Sequence, residues 1–225
     1  MKDIIKTGLI LMIFTAISGL FLGFVYVGVK GKIQEADNAA KLVAIKFVLK
    51  DPFTGDYLVD EEMIEEVVKK TGIDTITLKE YKEGAVLGPI YKFKTKDGKS
   101  AYVLSGYAPG FGGNVTVVAC FLETKNGLML NSVRVIDYSQ ETPGLGAKIG
   151  EEDIQKRFFP IPSEGLKDGL KVDKDAGLPK GTPDELKQKG IVKVSDVMTG
   201  ATITPRAVVT ALNLMYRYLT EEVLK

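Results

Sequence analysis

The sequence contains no histidine and one cysteine, Cys120, among its 225 residues. The absence of histidine removes the most common metal ligand and the side chain that most often acts as a general base near neutral pH. One cysteine cannot form a disulfide within the chain or supply a thiolate cluster, and Cys120 lies in an apolar run where we expect it to be buried. The side chains therefore offer little redox chemistry, and any redox activity would depend on a bound organic cofactor.

An excess of charge of one sign is also lacking. The chain has 30 basic and 29 acidic residues and a formal net charge of +1. No block of lysine or arginine stands out, so we expect no nucleic-acid partner.

The one long apolar run is Thr7–Val29, which contains no charged residue. About 23 residues at about 1.5 Å each reach about 34 Å, enough to cross a bilayer. A cleaved signal peptide would have a shorter apolar region and a small-residue cleavage site. We therefore predict a single transmembrane anchor at residues 1–30, with residues 7–29 in the lipid bilayer, followed by one domain at residues 31–225. A buried core helix is the less favoured alternative, and lysines at both ends of the run leave the orientation undecided.

The rest of the chain mixes helical and strand patterns, which predicts an α+β domain with antiparallel strands. Short strands are expected between residues 73 and 136, with Asn126-Gly127 typical of a hairpin turn. Residues 106–113 are predicted to form a glycine-rich loop whose backbone approaches another group. Residues 163–190 are rich in glycine, proline and charge, and are predicted to form a surface excursion that is either solvated or faces a partner subunit.

The most informative stretch is Ser195–Pro205, with the sequence SDVMTGATITP. It separates a short strand pattern from apolar residues at helical spacing, so we predict a strand, a tight turn and a helix. Thr204 is expected to cap that helix, with Pro205 in its first turn. Gly200 and Ala201 permit a narrow turn, and the positive end of the helix dipole beside it suits a phosphate. On these residues alone, plain helix capping is the more common explanation.

A second motif lies upstream, Glu141-Thr142-Pro143-Gly144-Leu145-Gly146. Pro143 restricts the backbone at a turn, and the flanking glycines leave Leu145 to project from a rigid loop. Taken alone, the motif is consistent with a connector between a strand and a helix.

The order Asp196-x-x-Thr199-Gly200-Ala201-Thr202 resembles the flavinylation motif of the FMN-binding domains in Rnf-type and Nqr-type redox complexes, and the upstream motif resembles a second motif of that family. The resemblance implies that a dedicated flavin transferase joins FMN to Thr202 through a phosphodiester bond. Other residues implied to shape the turn or to lie near the flavin are Asp196, Thr199, Gly200, Ala201, Glu141, Thr142, Gly144 and Leu145. Family members often carry histidine two positions before the glutamate, where this chain has Ser139.

Over the whole chain the pattern is most similar to the RnfG family of Rnf-type electron transport complexes. The resemblance implies a one-flavin electron relay in a ferredoxin:NAD oxidoreductase that translocates Na+ or H+, with no catalytic residue and no metal of its own. It also implies a single-pass protein of the cell (inner) membrane, with its soluble domain outside the cytoplasm and the other subunits of the complex as partners. The NqrC family of the sodium-pumping NADH:quinone reductase and a non-redox membrane-anchored scaffold are the alternatives. A self-contained flavin reductase is disfavoured because no nicotinamide-binding fingerprint is present.

Overall fold

The computed structural model describes residues 2–225. Helix α1 (Lys2–Val48) contains an apolar stretch that is long enough to cross a membrane, and none of this stretch is buried in protein. The chain divides into two compact units, the first ending at Ala40 and the second spanning Lys41–Lys225. The anchor predicted at residues 1–30 and the domain predicted at residues 31–225 stay predictions, because helix bounds do not show how much of α1 lies in lipid.

The second unit contains the end of α1 and five further α-helices. These are α2 (Glu61–Thr71), α3 (Glu152–Gln155), α4 (Ser163–Lys167), α5 (Pro183–Lys187) and α6 (Ile203–Tyr218). Two short 3₁₀ helices cover Gly146–Gly150 and Lys156–Phe158, and a π-helical turn at Leu219–Val223 follows α6.

Five strands form an antiparallel sheet in chain order, which confirms the predicted α+β fold class. The strands are β1 (Ile76–Tyr81), β2 (Gly84–Lys94), β3 (Ser100–Pro109), β4 (Asn114–Thr124) and β5 (Gly127–Asp137). The predicted hairpin joins β4 to β5, and Gly127 there has a φ of 115° that glycine adopts without strain. Because β3 continues to Pro109, the first half of the predicted glycine-rich loop is strand, and only residues 110–113 form the turn.

The two faces of the sheet pack against different helices. Strand side chains alternate between the faces, so Val117, Ala119 and Phe121 of β4 share a core with α6. Their neighbours Val118, Cys120 and Leu122 share a core with α2 and the end of α1. Cys120 is fully buried as predicted, and burial raises the pKa of its thiol well above the ordinary value.

Residues 163–190 are not the surface excursion that the composition predicted. This segment forms α4, α5 and β6 (Lys171–Val172), which pairs in parallel with β7 (Ile191–Val192). Four of its apolar side chains are buried in the domain, Leu166, Leu170, Val172 and Leu186, whereas Leu178 is exposed. The prediction was wrong because these side chains are isolated among glycine, proline and charged residues, so no helical or strand period extends over several turns.

Candidate functional site

An open pocket of about 580 Å³ brings the two sequence motifs together. It lies where the turn after β3, the loop at residues 141–146 and the start of α6 meet. Its lining consists of Phe111, Glu141, Thr142, Leu145, Gly146, Gly200, Ala201, Thr202, Ile203 and Thr204. The volume is within the range of about 300–1,000 Å³ that is usual for small-molecule sites.

Large apolar side chains are left exposed around this pocket. Phe111 is 70%, Leu145 45% and Ile203 43% exposed. Gly144, which precedes Leu145, has a φ of 75°, and the leucine projects as the sequence predicted. A Cβ placed on Gly200 would lie 3.7 Å from Leu145 Cδ2, so the two motifs lie next to each other. A cluster of exposed apolar side chains on a concave wall is typical of a binding site.

Glu141 is buried and connects three segments through its carboxylate. Oε1 accepts hydrogen bonds from the backbone N–H of Phe111 at 2.8 Å and of Gly112 at 3.4 Å. Oε2 accepts from the Thr204 hydroxyl at the start of α6. Gly146 leaves room for these groups, since a Cβ there would collide with the Glu141 carboxylate. Glu141 therefore holds the pocket wall in shape through bonds to its own chain.

The expected cap at Thr204 is wrong. Helix α6 begins at Ile203 with Thr202 in the N-cap position, so Thr204 lies inside the first turn. Its buried hydroxyl donates to the Glu141 carboxylate, whereas a capping hydroxyl would accept from a backbone N–H of the first turn. The glycine turn at residues 110–113 approaches the backbone of the neighbouring loop closely. The approach is so close that a Cβ on Gly112 would collide with the carbonyl group of Gln140.

Thr202 lies at the pocket wall, and its side chain makes no capping bond. Its hydroxyl accepts a hydrogen bond from Lys174 Nζ at 3.1 Å. The Thr199 hydroxyl donates to the Ser195 carbonyl at 3.5 Å, and the residue does not line the pocket. Asp196 also lies outside the lining, where its carboxylate accepts from Arg157 Nη1 at 3.3 Å.

Three residues that sequence reasoning missed lie directly after β6. The buried carboxylate of Asp173 accepts from the Ser195 hydroxyl and from the backbone N–H of Lys174 at 3.1 Å, Val194 at 3.4 Å and Ser195 at 3.3 Å. Asp175 pairs with Arg206 on α6, and this hydrogen bond lowers the pKa of Asp175 from its ordinary value. No local pattern marks these residues, since their sequence Asp-Lys-Asp is also typical of a solvated loop.

Comparison with known proteins agrees with this geometry. The FMN-binding domain family matches residues 110–217, a range that includes every residue of the pocket lining. A crystal structure from Thermotoga maritima, assigned to an RnfG component of an electron transport complex, is 74% identical and has a TM-score of 0.72. The match covers 84% of this chain and 99% of that one.

Two more distant relatives match nearly the whole chain, and both are described as the G component of an ion-translocating oxidoreductase complex. The relative from Vibrio cholerae is 27% identical, over 96% of this chain and 90% of its own length. The relative from Pseudoalteromonas atlantica is 29% identical, over 94% of this chain and 86% of its own. Together with the Thermotoga structure and the domain match, these relatives show that the chain belongs to the RnfG family and contains an FMN-binding domain.

Proposed function

We propose that this chain is an electron-carrying subunit of an Rnf-type ferredoxin:NAD oxidoreductase that translocates Na+ or H+, and that one FMN is joined to Thr202 by a phosphodiester bond. Its relatives are subunits of ion-translocating oxidoreductase complexes, which supports the general role. One observation carries the attachment site: the Thr202 hydroxyl lies at the wall of the open pocket and 3.1 Å from Lys174 Nζ.

The residues of the pocket fit a flavin. Phe111, Leu145 and Ile203 offer apolar surface to an aromatic ring, and the exposed residue Thr142 adds a hydroxyl to the lining. Gly144 allows the backbone turn that projects Leu145. When bound, FMN supplies the one-electron and two-electron chemistry that the side chains lack. The start of α6 and the Lys174 amine suit its phosphate, because helix N-termini and ammonium groups both favour anions.

Attachment requires a hydroxyl oxygen at position 202. With a flavin dinucleotide as donor, Thr202 Oγ1 bonds to the FMN phosphorus while the pyrophosphate bond breaks. The nucleoside monophosphate leaves, and the hydroxyl proton passes to it or to water. The protein gains FMN less one water, and nothing is oxidised or reduced. Asp196, Thr199, Gly200 and Ala201 form the turn that the flavin transferase recognises. A covalent bond prevents dissociation where free FMN is scarce and lowers the entropy lost when the ring is positioned.

Helix α1 anchors the chain in the cell (inner) membrane, with residues 7–29 in the bilayer. Its length and apolar composition support this assignment. In the proposed orientation the FMN-binding domain lies on the extracytoplasmic side and contacts other subunits of the complex.

Intact-mass measurement of the full chain, co-expressed with the flavin transferase, tests the proposal. We expect the wild type to carry one FMN on the peptide that contains Thr202. Thr202→Ala should remove the label completely, and Thr202→Ser should retain part of it because the oxygen remains. Thr199→Ala is the matched control and should stay labelled. Thr202 occupies the N-cap position of α6, but its side chain makes no capping bond. Thr202→Ala should therefore change the free energy of unfolding by less than about 0.5 kcal/mol.

The outcomes separate the candidate functions. An unmodified wild type would contradict the covalent relay and favour a non-redox scaffold anchored in the membrane. Label on Thr199 instead of Thr202 would keep the function and move the attachment site.

A further inference from the structure

Two cationic side chains next to the start of α6 differ in their partners. Arg206 Nε donates to both carboxylate oxygens of Asp175, at 3.0 and 2.7 Å, so its charge is compensated. Lys174 Nζ instead donates to the neutral Thr202 hydroxyl. None of the ion pairs formed within residues 2–225 involves Lys174. Lys174 is therefore a cation without an ion-pair partner that reaches Thr202 in the pocket lining, although Lys174 itself is not part of that lining.

The position of Lys174 is set by the same carboxylate that holds the start of the flavinylation segment. Asp173 accepts from the backbone N–H of Lys174 and from both the N–H and the hydroxyl of Ser195. Asp173 is only 2% exposed, so these bonds are partly shielded from solvent. The lysine and the segment that carries Thr202 are thus held in register by one buried group.

We propose that Lys174 binds the incoming phosphoryl group and thereby selects Thr202 as the attachment site, an inference that rests on the proposed function. An ammonium beside the hydroxyl attracts the anionic donor and stabilises negative charge on Oγ1 as its proton leaves. After attachment, the Lys174 ammonium pairs with the negative charge that remains on the phosphodiester. The hydroxyl of Thr199 lacks this advantage, because its hydrogen bond runs to the Ser195 carbonyl. Lys174 therefore distinguishes the two hydroxyls of the Thr-Gly-Ala-Thr turn.

The rate of attachment tests this role. Full-length variants are incubated with the flavin transferase and flavin adenine dinucleotide, and intact mass is recorded over time. Lys174→Gln should slow attachment at least about tenfold, equivalent to about 1.4 kcal/mol. Lys174→Arg keeps the charge and should recover most of the rate. Lys180→Gln removes another exposed lysine of the same segment and should match the wild type.

Binding without the transferase gives a second, independent measurement. The unmodified wild type should bind FMN at least about tenfold more tightly than riboflavin, which lacks the phosphate. Lys174→Gln should lose this preference and Lys180→Gln should keep it. Thermal unfolding identifies a temperature at which every variant is folded, so that misfolding does not imitate the effect.

Other results would contradict either the role of Lys174 or the covalent attachment. The inference is overturned if Lys174→Gln behaves like Lys180→Gln in both measurements, or if Lys174→Arg is as slow as Lys174→Gln. Peptide mapping of Lys174→Gln should show an increased share of label on Thr199, and an unchanged distribution would contradict the selecting role. A wild type that takes up no label at all would instead overturn the covalent attachment itself.

Discussion

Two buried carboxylates hold the site, Glu141 on one side and Asp173 on the other, and their surroundings differ. Both accept hydrogen bonds from backbone N–H groups and from one hydroxyl. Glu141 lies in the wall of the open pocket of about 580 Å³, whereas the space beside Asp173 is about 10 Å³. In the open pocket, water can replace a lost Glu141 carboxylate. The space beside Asp173 hardly holds one water molecule. Similar bonds therefore shape a binding pocket at Glu141 and stabilise the fold at Asp173.

Removing the Asp173 carboxylate should have the largest effect on the free energy of unfolding. Asp173→Ala leaves the Ser195 hydroxyl and three backbone N–H groups without their acceptor, so we expect a loss of about 4 kcal/mol in the free energy of unfolding. Urea unfolding of the detergent-solubilised chain, followed by circular dichroism, measures it. Asp173→Asn keeps one acceptor oxygen and should lose less. A loss below about 1 kcal/mol in Asp173→Ala would show that the segment is not held by this group.

Removing the Glu141 carboxylate should cost less stability and change the site more. Water from the pocket can bond to the N–H groups of Phe111 and Gly112, so Glu141→Ala should lose about 2 kcal/mol. The flavin absorbance should shift further in this variant than in Asp173→Ala, because Glu141 lines the pocket. Glu123→Ala, on an exposed position of β4, is the control and should change neither quantity. A stability loss equal to that of Asp173→Ala would contradict replacement by water.

Removing the charge of the exposed residue Asp175 should have the smallest effect on the free energy of unfolding. Arg206 lowers the pKa of Asp175 from its ordinary value of 3.8, so the folded state binds fewer protons than the unfolded state. The stabilisation is therefore present above pH 3.8 and lost as the pH falls through the lower folded pKa. The Asp175 and Arg206 side chains are 36% and 48% exposed, which limits the contribution to about 0.5 kcal/mol.

Unfolding of the wild type and Asp175→Asn over an acid pH series measures this contribution. The difference between them should vanish at the acid end. A difference that persists there would show that Asp175 acts through packing and not through its charge.

The pocket was predictable to the extent that its residues lie in short motifs. Glu141–Gly146 and Thr199–Thr202 combine glycine with particular side chains at fixed spacing, and the structure places most of these residues around one pocket. Lys174 was missed because β6, which positions it, pairs through only two residues. A strand of that length has no detectable alternation of apolar and polar residues.

The sequence by itself determined the long apolar helix, the antiparallel hairpins and the presence of a hydroxyl at position 202. These features depend on residues within a few positions of each other, so local spacing predicts them. Only the tertiary structure decided that Thr204 bonds to Glu141, that Lys174 reaches Thr202 and that Asp173 holds Ser195. These pairs are 63, 28 and 22 residues apart, and the packing of α6 on the sheet and the pairing of β6 with β7 bring them together. Contacts between distant residues leave no period in the sequence, because each partner is selected by the folded chain and not by its neighbours.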